Sequence, residues 1–171
     1  MALFEVLIAG QGPNKSIILP SAAPRGTFWS ANTAVAATNN QITAKLGDNA
    51  DKALLGFNVL QVTSDGLRTD AQILYEEGFE GYDCVDKECS LGPLPELMAM
   101  EDDASHTLVQ VTAPPTAVGD LCNFEAGKLH KAAATEVAFY QVVNILAGVE
   151  DAAEDRFLLK KLDAAIVIPT P

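Results

Sequence analysis

The sequence predicts a mainly β protein: a compact antiparallel β-barrel or sandwich with an N-terminal arm, echoed internally as two similar β subdomains. Three observations carry this. Short apolar runs alternate with turn residues along the whole chain. The aliphatic residues outweigh the aromatic ones, which make up 6% of the sequence. The stretch 118–162 reads as strand, tight turn, strand, long strand, loop, strand, which is an antiparallel meander. The pattern leaves room for short helices. The 171 residues suit one domain or two very small ones sharing a core.

Residues 1–24 read as an N-terminal arm or edge hairpin. Leu3 to Ile8 suits a strand, Gly10 to Lys15 a loop, and Ile17 to Leu19 a second short run closed by Pro20 and Pro24. In the extended-arm reading, Phe4, Val6 and Ile8 face one way and pair with a neighbour by strand addition. The contact set expected on this basis is Leu3, Phe4, Val6, Leu7, Ile8, Phe28 and Trp29. Trp29 is the only tryptophan, and core packing and interface anchoring both remain open for it.

Residues 25–78 form the expected first β segment. Asn39-Asn40 marks a turn, Gln41 to Leu46 alternates, Ala53 to Val62 is a buried apolar run, and Leu67 to Tyr75 suits another strand. Residues 79–104, rich in Gly, Pro and acids, read as a loop-rich connection, with one short helical turn over Leu94 to Met100. Residues 105–171 form the second β segment. Thr107 to Thr112 is the clearest alternating strand in the chain. Between 136 and 149 the helical and strand periods compete; Val137, Phe139, Tyr140, Val142, Val143 and Ile145 favour strand. The order of turn, strand, apolar run with a central Asn (Asn58, Asn144), acidic turn and Arg (Arg68, Arg156) recurs in both segments, which suggests an internal duplication.

The net charge of −12 disfavours phosphate-backbone binding and docking on anionic lipid, so neither direct nucleic acid nor membrane is an expected partner. No apolar run reaches the ~18–20 residues of a membrane helix, and the start lacks the basic residues of a secretory signal. A cytosol-like site of synthesis is therefore expected, and with it reduced cysteines, Cys84-x4-Cys89 included. The chemistry-bearing residues form no recognisable constellation. Zinc would need four ligands at a suitable spacing, and only His106 and His130 could add to Cys84-x4-Cys89 and the distant Cys122. The acidic stretches Glu101 to Asp103 and Asp151 to Asp155 lack the staggered ligands of a calcium loop. Neither histidine has a nucleophile signature beside it. We expect no catalytic residues, no cofactor and no metal.

Within 118–162, Gly119-Asp120-Leu121, Ala126-Gly127-Lys128-Leu129, Ala132-Ala133-Ala134, the Val142 to Val149 run and Asp151-Ala152-Ala153-Glu154 stand in order. This resembles the small β-barrel decoration, or cement, proteins of tailed-phage capsids. Here Cys122-Asn123 replaces the usual apolar pair, the glycine of the apolar run falls at Gly148, and Asp155 stands where Gly is common. The resemblance implies a structural protein on the outer capsid surface of a virion, made in the host cytoplasm. It further implies a homotrimer that clamps neighbouring major capsid subunits through many modest contacts. A ligand- or receptor-binding β module of a virion or surface assembly is the alternative expectation.

Overall fold

Thirteen strands and no helix make up the described part of a computed structural model of the chain, which covers residues 4–36, 41–64, 81–101, 108–146 and 155–171. In chain order they are β1 (Phe4–Ile8), β2 (Lys15–Ile18), β3 (Phe28–Ala31), β4 (Ala44–Leu46), β5 (Gly56–Asn58), β6 (Gln61–Thr63), β7 (Gly81–Asp83), β8 (Glu88–Gly92), β9 (Leu97–Glu101), β10 (Leu121–Glu125), β11 (Lys128–Lys131), β12 (Val137–Leu146) and β13 (Arg156–Val167). They form two antiparallel sheets. The six-stranded sheet runs β1-β9-β13-β12-β10-β11 and the five-stranded sheet β2-β8-β5-β3-β4, with a parallel β6-β7 pair beside them. Neither large sheet closes into a barrel, so the architecture is the sandwich of the two forms expected.

The two sheets bury two cores. Between them lie Phe4, Phe28, Phe57, Met98, Met100, Phe124, Leu129, Tyr140, Phe157 and Leu159. On the other side of the five-stranded sheet, Ile17, Leu19, Trp29, Ala44, Val62, Cys89 and Leu91 form a second core. Successive side chains of a strand point to opposite faces. That is why neighbours Phe28 and Trp29 on β3 are both fully buried, one in each core. The five-stranded sheet is thus covered on both faces at β3 and β5, whose described residues are almost all buried.

Phe28 is also where the sheets are stitched. Its N–H donates to Gly127 O (3.0 Å), its carbonyl accepts from Gly47 N (2.9 Å), and Gly127 N donates to Gly47 O (2.9 Å). Gly127 sits in the β10–β11 turn at φ +77°, and a Cβ there would lie 2.4 Å from the Thr27 side chain and 3.1 Å from Phe28 O. Only glycine lets this turn approach so closely with positive φ. The Phe28 ring stacks on Phe124 (centroids 4.0 Å apart) and meets Tyr140 edge-on (6.0 Å). In the second core, Trp29 Nε1 donates to Asn58 Oδ1 (3.0 Å), while Asn58 Nδ2 donates to Pro24 O and Leu60 O, both at 2.8 Å. Asn58 therefore interrupts its apolar run because the indole N–H needs an acceptor in a place water does not reach.

Several expectations are corrected. β1 and β2 do not pair with each other; each is the edge strand of a different sheet, so 1–24 is neither a hairpin nor a detached arm. The segment 79–104 is not merely a connection: it holds β8 and β9, each paired on both sides, and Leu97–Glu101 is strand rather than helical turn because Met98, Ala99 and Met100 are all buried. The Ala53–Val62 run splits into β5 and β6. The Thr107–Thr112 strand reduces, in its described part, to one parallel bridge between Val109 and Leu129. Residues 137–146 are strand, as β-branched and aromatic content favoured. The counterpart of β13 that an internal duplication expects over 67–75 lies outside the described residues. The Asn39-Asn40 turn and the strand and Arg68 expected within 67–75 lie outside the described residues.

The cysteines also depart from expectation. Cys84 and Cys89 form a disulfide in the second core, and Cys122 is free and buried. Five residues of separation are enough because the β7–β8 turn, with Asp86 at φ 59°, folds the chain back on itself.

Two outcomes test this packing. Phe28→Ala removes the ring common to the sandwich core and should cost about 3–5 kcal/mol of unfolding free energy in a denaturant titration. Cys84→Ser with Cys89→Ser should lose roughly 2 kcal/mol, the loop-closure value for so short a ring, and reductant should lower the melting temperature of the parent chain but not of the double variant.

Candidate interaction surface

The sequence-expected contact residues divide sharply in the structure. Leu3 lies outside the described residues. Phe4, Phe28 and Trp29 are core residues, at 2%, 0% and 0% exposure, and so cannot be surface anchors. Val6 is half-buried against the sandwich core. Leu7 and Ile8 are exposed, at 43% and 54%. Simple alternation places Ile8 on the side of Phe4 and Val6. A register shift between Val6 and Ile8 in the β1–β9 ladder breaks that alternation and turns both Leu7 and Ile8 outward.

The backbone edges single out β1. The two large sheets have four edges, at β1, β11, β2 and β4. The β11 edge is covered by 108–113: Leu129 N donates to Leu108 O (2.8 Å), Gln110 N to Leu129 O (2.7 Å) and Lys131 N to Ala113 O (2.8 Å). The β2 and β4 edges meet, where Ile18 N donates to Ile42 O (3.1 Å) and Ile18 bridges Thr43. Among the described residues, only β1 has no strand or segment along its outer side. Its one charged side chain, Glu5, is paired with Arg156 of β13. An edge with unpaired N–H and C=O groups and two exposed aliphatic side chains is a template for another strand.

Two clefts open elsewhere. One, of about 480 Å³, lies where β5 diverges from β8 and is lined by Lys15, Asn58, Gln61, Glu88, Cys89 and Ser90 among others. A second, of about 360 Å³, lies between the 11–13 loop and Leu94, Glu96 and Lys161. Both Nδ2 hydrogens of Asn58 are used within the fold, its Oδ1 accepts from Trp29, and Lys15 Nζ donates to Leu55 O (3.1 Å).

The buried polar groups serve local structure. On β10 and β11, Asn123 and His130 are cross-strand partners. Asn123 Nδ2 donates to Glu136 Oε2 (3.0 Å), which turns its oxygen toward His130 Nδ1 at 2.8 Å. The other ring nitrogen, Nε2, faces Glu125 Oε2 at 3.3 Å. Glu136 also accepts from Ala133 N (2.8 Å), so the cluster secures the turn into β12. His106 and most of the acidic residues of 101–103 and 151–155 lie outside the described residues. Among the described residues no group of three or more His, Cys, Asp or Glu is placed to hold a metal ion, and no helix is long and apolar enough to cross a membrane. Burial pushes the Cys122 thiol up to about 12.

Two carboxylates clamp loops beneath these surfaces. Asp51 accepts from Ser30 Oγ (2.5 Å), Asp48 N (2.7 Å) and Lys45 Nζ (2.8 Å). Asp120, of the Gly119-Asp120 pair, accepts from Thr116 N (2.8 Å), Ala117 N (3.0 Å) and Lys131 Nζ (3.0 Å). Burial works to raise both acids, but these donors outweigh it and hold both below the usual carboxylate range.

No protein-family model, curated protein or solved structure matches the chain.

The depressed carboxylates set the sign of the acid response. A group more acidic when folded stabilises the protein fully above its unfolded value, about pH 4, and that contribution is lost as pH falls through the lower folded value. Asp51→Asn and Asp120→Asn should each lower stability at neutral pH. Each should also flatten the loss of melting temperature below about pH 4, followed by calorimetry.

Proposed function

We propose that this chain is a structural virion protein that decorates and stabilises a phage capsid, clamping neighbouring major capsid subunits through the open edge of β1. The observation that carries the reading is that edge: of four sheet edges, β1 alone is uncovered among the described residues, and Leu7 and Ile8 are exposed beside it. Strand addition supplies affinity from main-chain hydrogen bonds and register from alternate side chains, which suits a clamp on a repeating shell. The net charge of −12 keeps free copies apart until a shell gathers them.

Two further points support it. The described motif residues, Gly119 to Leu146, run through β10, β11 and β12, which lie side by side in the six-stranded sheet in the order β12-β10-β11, where Gly127 joins the sheets; the rest of the motif, 147–154, lies outside the described residues. The Cys84–Cys89 disulfide fits a protein that spends part of its existence outside a cell, since disulfides persist on virion surfaces and are rare in cytosol. A second reading, a ligand- or receptor-binding module of a virion, is favoured by the cleft of about 480 Å³.

Co-sedimentation with capsid shells stripped of this protein separates the readings. The parent chain should pellet with shells, and Leu7→Glu with Ile8→Glu should stay in the supernatant at an unchanged melting temperature. A parent chain that never pellets, or a double variant that pellets equally well, overturns the reading.

A further inference from the structure

The second core contains the disulfide, and the larger cleft reaches it. Cys84 and Cys89 pack in that core with Ile17, Leu19, Val62 and Leu91. Both also line the cleft of about 480 Å³. Cys122 lies in the sandwich core instead, away from either sulfur. The strand that the bond serves is β7, which ends one residue before Cys84. Its strand partner is β6, over three residue pairs from Gln61↔Gly81 to Thr63↔Asp83. β6 is tied outward at Val62: Val62 N donates to Ala23 O (2.9 Å) and Ala23 N to Val62 O (3.1 Å). Past β7, Lys87 N donates to Cys84 O (2.9 Å) and Asp86 N to Leu19 O (2.8 Å). A two-stranded pair is marginal by itself. The β6–β7 pair is therefore held against the five-stranded sheet by a few backbone hydrogen bonds and one covalent bond. No residue of either strand belongs to the sandwich core.

We propose that Cys84–Cys89 is a redox latch. Oxidised, it fastens the end of β7 to β8 and pins the β6–β7 pair over the second core. Reduced, it releases that pair while the sandwich stays folded. The reductant is a dithiol, or a monothiol of the glutathione class, that enters by the cleft. A thiolate of the dithiol attacks one cystine sulfur, which breaks the Cys84–Cys89 bond and forms a mixed disulfide; the second thiol of the reductant then resolves it. One disulfide breaks and one forms. Two electrons and two protons pass to the chain, and Cys84 and Cys89 become thiols. With a monothiol, a second molecule performs the resolving step. The separation of the two cores confines the effect. Release restores chain freedom to the 84–89 ring, whereas the seam of Phe28, Phe124 and Tyr140 contains neither sulfur and neither strand. A reducing cytosol holds the latch open and an oxidising exterior closes it. The latch is independent of what β1 binds.

Residue-resolved hydrogen exchange on the full-length chain tests the latch. The reporters of the β6–β7 pair are the amides of Val62, Asp86 and Lys87, which bond Ala23, Leu19 and Cys84. Those of the sandwich are the amides of Phe28, Gly127 and Val142, which bond Gly127, Gly47 and Asp120. Dithiothreitol added to the folded protein should reduce the Cys84–Cys89 bond, read as alkylation of both cysteines by mass. Exchange at Val62, Asp86 and Lys87 should then rise at least about tenfold, and exchange at Phe28, Gly127 and Val142 should stay within about twofold, because a local opening leaves the rest of the fold protected. Reoxidation should restore the slow pattern. Cys84→Ser with Cys89→Ser should show the fast pattern with and without dithiothreitol. A bond that dithiothreitol leaves intact in the folded chain, a fully reduced chain with unchanged exchange at Val62, Asp86 and Lys87, or equal acceleration at Phe28, Gly127 and Val142 would overturn the latch.

Discussion

The packing of this protein turns on Phe28. Its ring lies within an aromatic cluster with Phe4, Phe57, Phe124 and Tyr140, and its backbone bonds both Gly127 across the sheets and Gly47, which in turn accepts from Gly127. The two roles reinforce each other. The stacking of Phe28 on Phe124 requires the β10–β11 turn to come within hydrogen-bond reach of β3, and that approach requires a residue without Cβ at 127. With few aromatics in the sequence, gathering most of the buried ones at one seam gives the sandwich a rigid centre, while aliphatic and sulfur-containing side chains fill the periphery.

From that seam follows the treatment of the edges. Because the β11 hairpin is held against β3, the 108–113 segment can lie along its outer edge. Because Trp29 and its neighbours make a second core on the far side of the five-stranded sheet, β2 and β4 curl until Ile18 reaches Thr43. What is left open lies in the six-stranded sheet: β1, and the part of β13 that outruns β9. Both belong to the sheet with the longer strands, and both have few charges. An open sheet edge carries unpaired backbone donors and acceptors, which is the feature on which the proposed strand addition rests.

Local sequence made much of this legible. The alternating and apolar runs announced an all-β chain, the Ala126-Gly127 turn was read where it occurs, and the strand at 137–146 followed from its β-branched and aromatic residues despite a competing helical period. Other elements could not be read. Leu97–Glu101 is a central strand with consecutive buried residues, because it is covered on both sides by neighbours far away in the chain, Phe4 to Ile8 and Arg156 to Lys160. Phe28 and Trp29 gave no sign of which was core and which surface, since nothing local says that β3 separates two cores. Thr107–Thr112 has the best alternation, and its described part forms only a bridge, because the backbone bonds of Leu108 and Gln110 both go to Leu129.

The candidate surface divides in the same way. Sequence by itself determined that residues 4–8 form an apolar strand, that the chain is acidic enough to disfavour nucleic acid and anionic lipid as partners, and that strand, not helix, is the repeating unit. Those properties depend on residue types and on a period of two, which are local. Only the tertiary structure decided that Phe4 faces inward while Leu7 and Ile8 face out, that β1 is an edge, that Cys84 reaches Cys89, and that β13 runs on past its neighbour. Each of these depends on which strand lies beside which and on where a ladder shifts or stops, and that is set by packing between segments far apart in the chain.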